Sequence, residues 1–99
     1  MDELLLTFYC ANIDATLLVT VLRAATKSPL HLRQEQVFGH DFGDARTAEQ
    51  VRGCMDRTAI SFTATTATLD TLVALVTAAR RAMPVRWQAV ALLARGRIE

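Results

Sequence analysis

Phe38-Gly39-His40-Asp41-Phe42-Gly43-Asp44-Ala45-Arg46-Thr47-Ala48-Glu49-Gln50-Val51-Arg52-Gly53 lies near the middle of the chain, between two halves that read alike. Each half reads as strand, helix, strand, and this segment is the one long connection between them. Long connections inside small domains usually carry function or are disordered. This one has glycines near both ends, a His40-Asp41 pair and two arginines, Arg46 and Arg52. A bound ligand is therefore expected here. Thr47-Ala48-Glu49-Gln50 fits a capping box with Thr47 as the cap and Gln50 three residues on. The spacing predicts a short helical turn over residues 48–52, closed by Gly53.

Working outward to the N-terminal side, residues 4–11 (LLLTFYCA) have bulky apolar side chains on both parities, as in a central strand covered on two faces. Asp14 offers an N-cap oxygen to a helix over 15–26, with Leu17, Leu18, Val21, Leu22 and Ala25 on one face. Ser28-Pro29 ends it, because proline has no amide hydrogen and disfavours helix in the residue before it. Residues 30–38 form a second strand, with Leu30, Leu32 and Phe38 on one parity and His31, Arg33 and Glu35 on the other. Gln34 and Gln36 on the apolar parity imply a strand that outruns the helical layer.

On the C-terminal side, residues 57–65 alternate and form a third strand, with Ile60, Phe62 and Ala64 facing inward. Thr68 is placed to cap a helix over 69–83 whose stripe is Leu69, Leu72, Val73, Val76, Ala79 and Met83. Asp70 and Arg80-Arg81 complement its dipole, and Pro84 breaks it. Residues 85–93 form a fourth strand, followed by a polar tail, Ala94-Arg95-Gly96-Arg97-Ile98-Glu99.

The order is βαβ twice. Two such units joined in sequence give an α+β, ferredoxin-like βαββαβ sandwich, a mainly antiparallel sheet with two helices on one face. Residues 1–99 are expected to form one domain. The other sheet face would carry Leu5, Thr7, Tyr9, Ser61 and Thr63. Left wet, that partly apolar face favours an oligomer interface.

Composition narrows the function. The chain has 99 residues, 52% of them hydrophobic, and a formal charge of +1. That balance gives no electrostatic case for nucleic acid or an anionic membrane. No stretch approaches the roughly 20 apolar residues of a membrane span. The two cysteines, Cys10 and Cys54, lack the spacing of a metal site or disulfide framework, and the acidic start, Met1-Asp2-Glu3, is unlike a signal peptide. A cytoplasmic protein is expected. No nucleophile elbow, paired carboxylates or Cys-His set appears, so nothing argues for an enzyme.

The residues with binding chemistry are few. Arg95 and Arg97 each present a planar fork of donors suited to phosphate or bicarbonate, or else belong to a solvated tail. Arg52 could serve likewise. Glu49 could pair with an arginine of a neighbouring subunit, or simply occupy a first helical turn. His40, Asp41 and Cys54 together offer imidazole, carboxylate and thiolate to a transition metal, an alternative reading as a metal-responsive module. His31 reads as an exposed strand residue, and Trp87 as core or interface packing.

Three matches make the chain resemble the PII-like signal-transduction superfamily, and within it the PII-like group found beside heavy-metal (RND-type) efflux systems. Gly39-His40 follows the second strand where the PII ligand loop begins. Glu49-Gln50-Val51-Arg52-Gly53 is similar to that group's Glu-Gln-Val-Arg-Gly motif, and Arg95-Gly96-Arg97-Ile98 to its Gly-Arg ending. The resemblance implies a homotrimer that binds a small ligand in clefts between subunits. An adenine nucleotide such as ADP or AMP, or bicarbonate, is the ligand it suggests. It further implies that the central loop contacts a membrane transport system. Carried onto this chain, the ligand cleft would involve Gly39, His40, Arg52, Gly53, Arg95 and Arg97. The partner loop would involve Asp41, Phe42, Gly43, Asp44, Arg46 and Glu49. The chain departs from nitrogen-type PII proteins in residues 80–85, which have neither glycine nor lysine, so a triphosphate held there in the usual way is not expected. The lone tyrosine, Tyr9, falls in the first strand, which argues against nucleotidylation of the loop.

Overall fold

The computed structural model describes residues 2–39, 43 and 45–99, with the side chain of Arg52 outside that description. The elements are β1 (Glu3–Ala11), a 3-10 turn (Asn12–Asp14), α1 (Ala15–Ala25), β2 (His31–Phe38), α2 (Thr47–Arg52), β3 (Cys54–Thr65), α3 (Thr66–Ala78) and β4 (Arg86–Ala91). The strands form one sheet in the order β2-β3-β1-β4, with every neighbouring pair antiparallel. This is the ferredoxin-like arrangement expected from the order of elements.

Alternation along the two central strands decides where the core lies. Leu4, Leu6, Phe8 and Cys10 of β1 stand beside Ile60, Phe62 and Ala64 of β3, and all are buried. Leu18 and Leu22 of α1 and Leu72 and Val76 of α3 close over them, so both long helices lie on one face. Phe8 and Phe62 stack with ring centroids 6.3 Å apart. On the opposite face Thr7 and Ser61 share a hydrogen bond of 2.9 Å, and Leu5 and Tyr9 remain half-buried.

The edge strands outrun the helical layer. Leu32 and Phe38 of β2 are exposed, Phe38 by 72%, and Trp87 of β4 keeps 46% of its surface in solvent. Gln34, on the apolar parity, donates through Nε2 to Thr58 Oγ1, which donates to Asn12 Oδ1. A polar chain thus seals the core where the helices stop.

Several boundaries differ from the sequence reading. α3 starts at Thr66 and not at residue 69, because Thr65 is the N-cap and Thr68 lies three residues inside, where its Oγ1 accepts the Thr65 N–H. It ends at Ala78, so Met83 and Arg80-Arg81 fall beyond it. Asp14 stands at the N-cap of α1 without capping it: its carboxylate instead accepts N–H bonds from Ala82 and Met83 at 2.8 and 3.0 Å. Those two bonds hold the residues directly before Pro84 in a non-helical course, and the helix has already ended upstream of that proline. β4 is shorter than the 85–93 run, ending at Ala91. β3 is longer than the 57–65 run, because its first residues pair with the end of β2: Gln36 with Asp56, Val37 with Met55, Phe38 with Cys54.

Candidate functional site

Chain direction puts the ends of β1 and β2 and the starts of β3 and β4 at one end of the sheet, the loop end. The start of β1, the end of β4 and the tail lie at the other. β1 spans the distance, roughly 25 Å at about 3.3 Å per residue.

At the loop end, Phe38 and Cys54 form the last rung of the β2–β3 ladder, and Gly39 and Gly53 flank it. Both glycines have positive φ, 148° and 80°, and open space where a Cβ would stand. The constraint there is backbone conformation and not crowding. Gly53 terminates α2 in the left-handed conformation, its N–H donating to Glu49 O, as the sequence predicts. The cap at the other end of α2 is shifted by one residue. Arg46 and not Thr47 precedes the helix, and Glu49 and not Gln50 reaches back, its Oε1 accepting the Arg46 N–H at 3.1 Å.

That shift sends Glu49 inward. Its side chain is 1% exposed, and Oε2 accepts the N–H of Asp56 at 2.7 Å. β1 ends opposite Arg57, so Glu49 supplies the acceptor that β1 cannot give the overhanging end of β3. The Arg57 guanidinium, 2% exposed, donates to Glu49 Oε1 at 3.3 Å, to Asp56 O at 2.7 Å and towards Met55 Sδ at 3.2 Å. Burial by itself would push the Glu49 carboxyl up. The backbone donors of Asp56 and Arg46, with the Arg57 guanidinium, outweigh it and bring the pKa down to about 2. Glu49 is thus paired within its own chain. Beside it a pocket of about 120 Å³ is lined by Ala11, Asn12, Ile13, Arg46, Glu49 and Asp56, with Arg46 at the exposed rim.

At the tail end, Arg95 Nε and Nη2 clasp the Glu3 carboxylate at 2.8–3.1 Å. The hydrogen bond from Arg95 holds the Glu3 carboxyl below its ordinary range, and both groups are solvent-exposed. They stand at the edge of a cleft of about 270 Å³ lined also by Thr26, Ser28, Thr65 and Thr68. Arg97 pairs with Glu99 at 2.8 Å in open solvent.

The expected ligand set is therefore divided. Gly39 and Gly53 come together at the loop end, whereas Arg95 and Arg97 lie at the opposite end of the same chain. His40, Asp41, Phe42 and Asp44 lie outside the described residues, as does the side chain of Arg52; Gly43 is described and exposed. Of the alternative metal set only Cys54 is described, and it is buried. Among the described residues no three His, Cys, Asp or Glu side chains converge. No helix among them is long and apolar enough to cross a membrane.

Arg57 and Glu3 escape a reading of the sequence. Arg57 looks like the polar start of an alternating strand, though an arginine on a central strand followed by Ala59 and Ser61 on the same parity signals a buried partner. Glu3 carries no local signal, since its partner lies at the far end of the chain.

A search of curated proteins finds no match. Solved structures do match over nearly the whole chain. A DUF3240 family protein from Shewanella baltica superposes with a TM-score of 0.80 at 15% identity, covering 100% of this chain and 99% of that one. A functionally unknown protein from Pediococcus pentosaceus superposes with a TM-score of 0.66 at 8% identity, covering 99% of each chain. The GlnK–ATP complex of B. subtilis superposes with a TM-score of 0.62 at 10% identity, covering 91% of this chain and 85% of that one. The fold is PII-like. Residues 2–99 match the family model described as protein of unknown function (DUF3240), and the chain belongs to that family.

Proposed function

We propose that this is a PII-like regulatory protein, not an enzyme, that works as a homotrimer and binds a small ligand between subunits. The observation that carries the proposal is its likeness to GlnK, captured in that structure with ATP, over 91% of the chain. The division of the candidate residues fits the same reading. Gly39 and Gly53 at one end of a protomer and Arg95 and Arg97 at the other are completed as one cleft when a neighbouring copy supplies the tail. The partly apolar sheet face around Leu5, Tyr9 and the exposed Val90 is the surface on which copies would associate.

The ligand is an adenine nucleotide such as ADP or AMP, or bicarbonate, and its arrival shifts the balance of states of the central connection. A ligand moves such a balance only by its differential affinity for the states. The partner is a membrane transport system, in keeping with the heavy-metal efflux setting of the group the sequence resembles. Two measurements test this: light scattering for the mass of the purified assembly, and calorimetry with ADP, AMP, ATP and bicarbonate. A trimer that binds at least one of the four is expected, with binding lost in the Arg95→Ala and Arg97→Ala variants. A monomer that binds none of them refutes the proposal.

A further inference from the structure

The cleft of about 270 Å³ at the tail end carries one negative and one positive side chain, Glu3 and Arg95, and no other charged group among the described residues that line it. The sheet fixes the first of them. Glu3 stands opposite Thr65 in the β1–β3 ladder, and its carbonyl accepts the Leu92 N–H at 3.1 Å. Hydroxyl groups of Thr26, Ser28, Thr65 and Thr68 line the cleft as well, together with the buried Ala64 and Leu72. Ser28 Oγ donates to Thr63 O at 2.8 Å and keeps its lone pairs for an incoming donor. Thr26 Oγ1 accepts the Ser28 N–H at 3.2 Å and keeps its proton to give.

Glu3 and Arg95 are 38% and 60% exposed, so opening their ion pair costs little. Whatever enters has to answer both charges. A simple anion on the Arg95 fork faces the Glu3 carboxylate, and a simple cation on Glu3 faces the guanidinium. A molecule with a carboxylate and an ammonium group a few atoms apart re-pairs both at once, and an α-amino acid is such a molecule. The cleft is smaller than the roughly 300 Å³ at which drug-sized pockets begin, which suits a short side chain and not a nucleotide.

We infer that this cleft binds a zwitterionic α-amino acid with a short side chain, its carboxylate taken by the Arg95 fork and its ammonium group by Glu3. The walls supply what the rest of the ligand needs: Ala64 and Leu72 for a methyl group, Thr26 and Ser28 for a hydroxyl. All of these groups belong to one protomer, so the site goes beyond the regulatory reading above and does not require copies to associate. That reading gives Arg95 to an anion held between subunits. Here Glu3 adds the second charge and changes the class of ligand.

The test is an NMR titration of the full chain with L-threonine at constant ionic strength and neutral pH. It is followed through the amide signals of Thr26, Ser28 and Thr68 and the Nε–H signal of Arg95. Saturable movement is expected, with a dissociation constant on the order of 1 mM. Acetate and methylammonium, which carry one charge each, should bind about fivefold more weakly. Glu3→Gln discriminates a charge-matched site from a merely structural effect. It should weaken L-threonine by about fivefold and strengthen acetate, because the carboxylate that opposes a simple anion is gone. Signals that ignore both L-threonine and L-alanine overturn the inference, as does acetate binding as tightly as L-threonine. So does a Glu3→Gln variant in which the two affinities fall together or stay as they are. Calorimetry with nucleotides decides the regulatory reading separately, since neither result in it bears on the amino-acid titration.

Discussion

The two ends of the sheet hold the same pair of groups, a carboxylate and a guanidinium, in opposite surroundings. Glu49 and Arg57 are sealed at the loop end, and the carboxylate also closes two backbone donors. Glu3 and Arg95 meet at the tail end with better distances, a two-pronged clasp at 2.8–3.1 Å, but in solvent. Contact geometry alone would rank the second pair higher. Burial reverses the order: a buried charge that loses its partner is left uncompensated, whereas an exposed one is rehydrated. The loop end is therefore fixed by its ion pair, and the tail end is only lightly held by its own.

The largest effect that sharpens this contrast is expected from Glu49→Ala. It takes the carboxylate away from the buried Arg57 guanidinium and from two backbone N–H groups, and should destabilise the fold by about 3–5 kcal/mol in urea unfolding. A loss no larger than that of an ordinary surface substitution would break the comparison. Acid should act next. Folding lowers the Glu49 pKa from 4.5 to about 2, so its contribution is complete above about pH 4.5 and disappears as pH falls towards 2. Melting temperature should fall across that window, and the fall should be shallower in Glu49→Gln. A smaller loss, about 1 kcal/mol, is expected for Gly53→Ala, where φ is +80° and nothing crowds the new methyl. Smallest of all, Glu3→Gln should leave the melting temperature unchanged within error, while Arg95 becomes more mobile by NMR relaxation.

The sheet and its two covering helices are legible in the sequence because they rest on periodicity. Ile60, Phe62 and Ala64 alternate with polar or small residues, whereas residues 4–11 are apolar on both parities and the helices cover only the face of Leu4, Leu6 and Phe8, leaving Leu5 and Tyr9 half-buried. Gly53 is legible because a left-handed helix end has a strong residue preference. The caps are less so: Thr47 and Thr68 are good capping residues, and only tertiary contacts show that the chain uses Arg46 and Thr65 positions instead. Glu49 pulls the first frame back by one residue to reach Asp56 and Arg57. Asp14 illustrates the same limit. Its local sequence reads as a cap, but its partners are the amides of Ala82 and Met83, and no nearby pattern announces them. The candidate ligand residues were legible only as types, since their separation to opposite ends of the sheet follows from strand direction.

β3 runs three residues past the end of β1, and β2 accompanies it. The central connection therefore springs from a two-stranded cantilever and not from the body of the sheet. The Glu49 carboxylate braces the inner edge of that projection through the Asp56 N–H and the Arg57 guanidinium, so the point from which the connection departs is set by an ion pair as well as by the β2–β3 ladder.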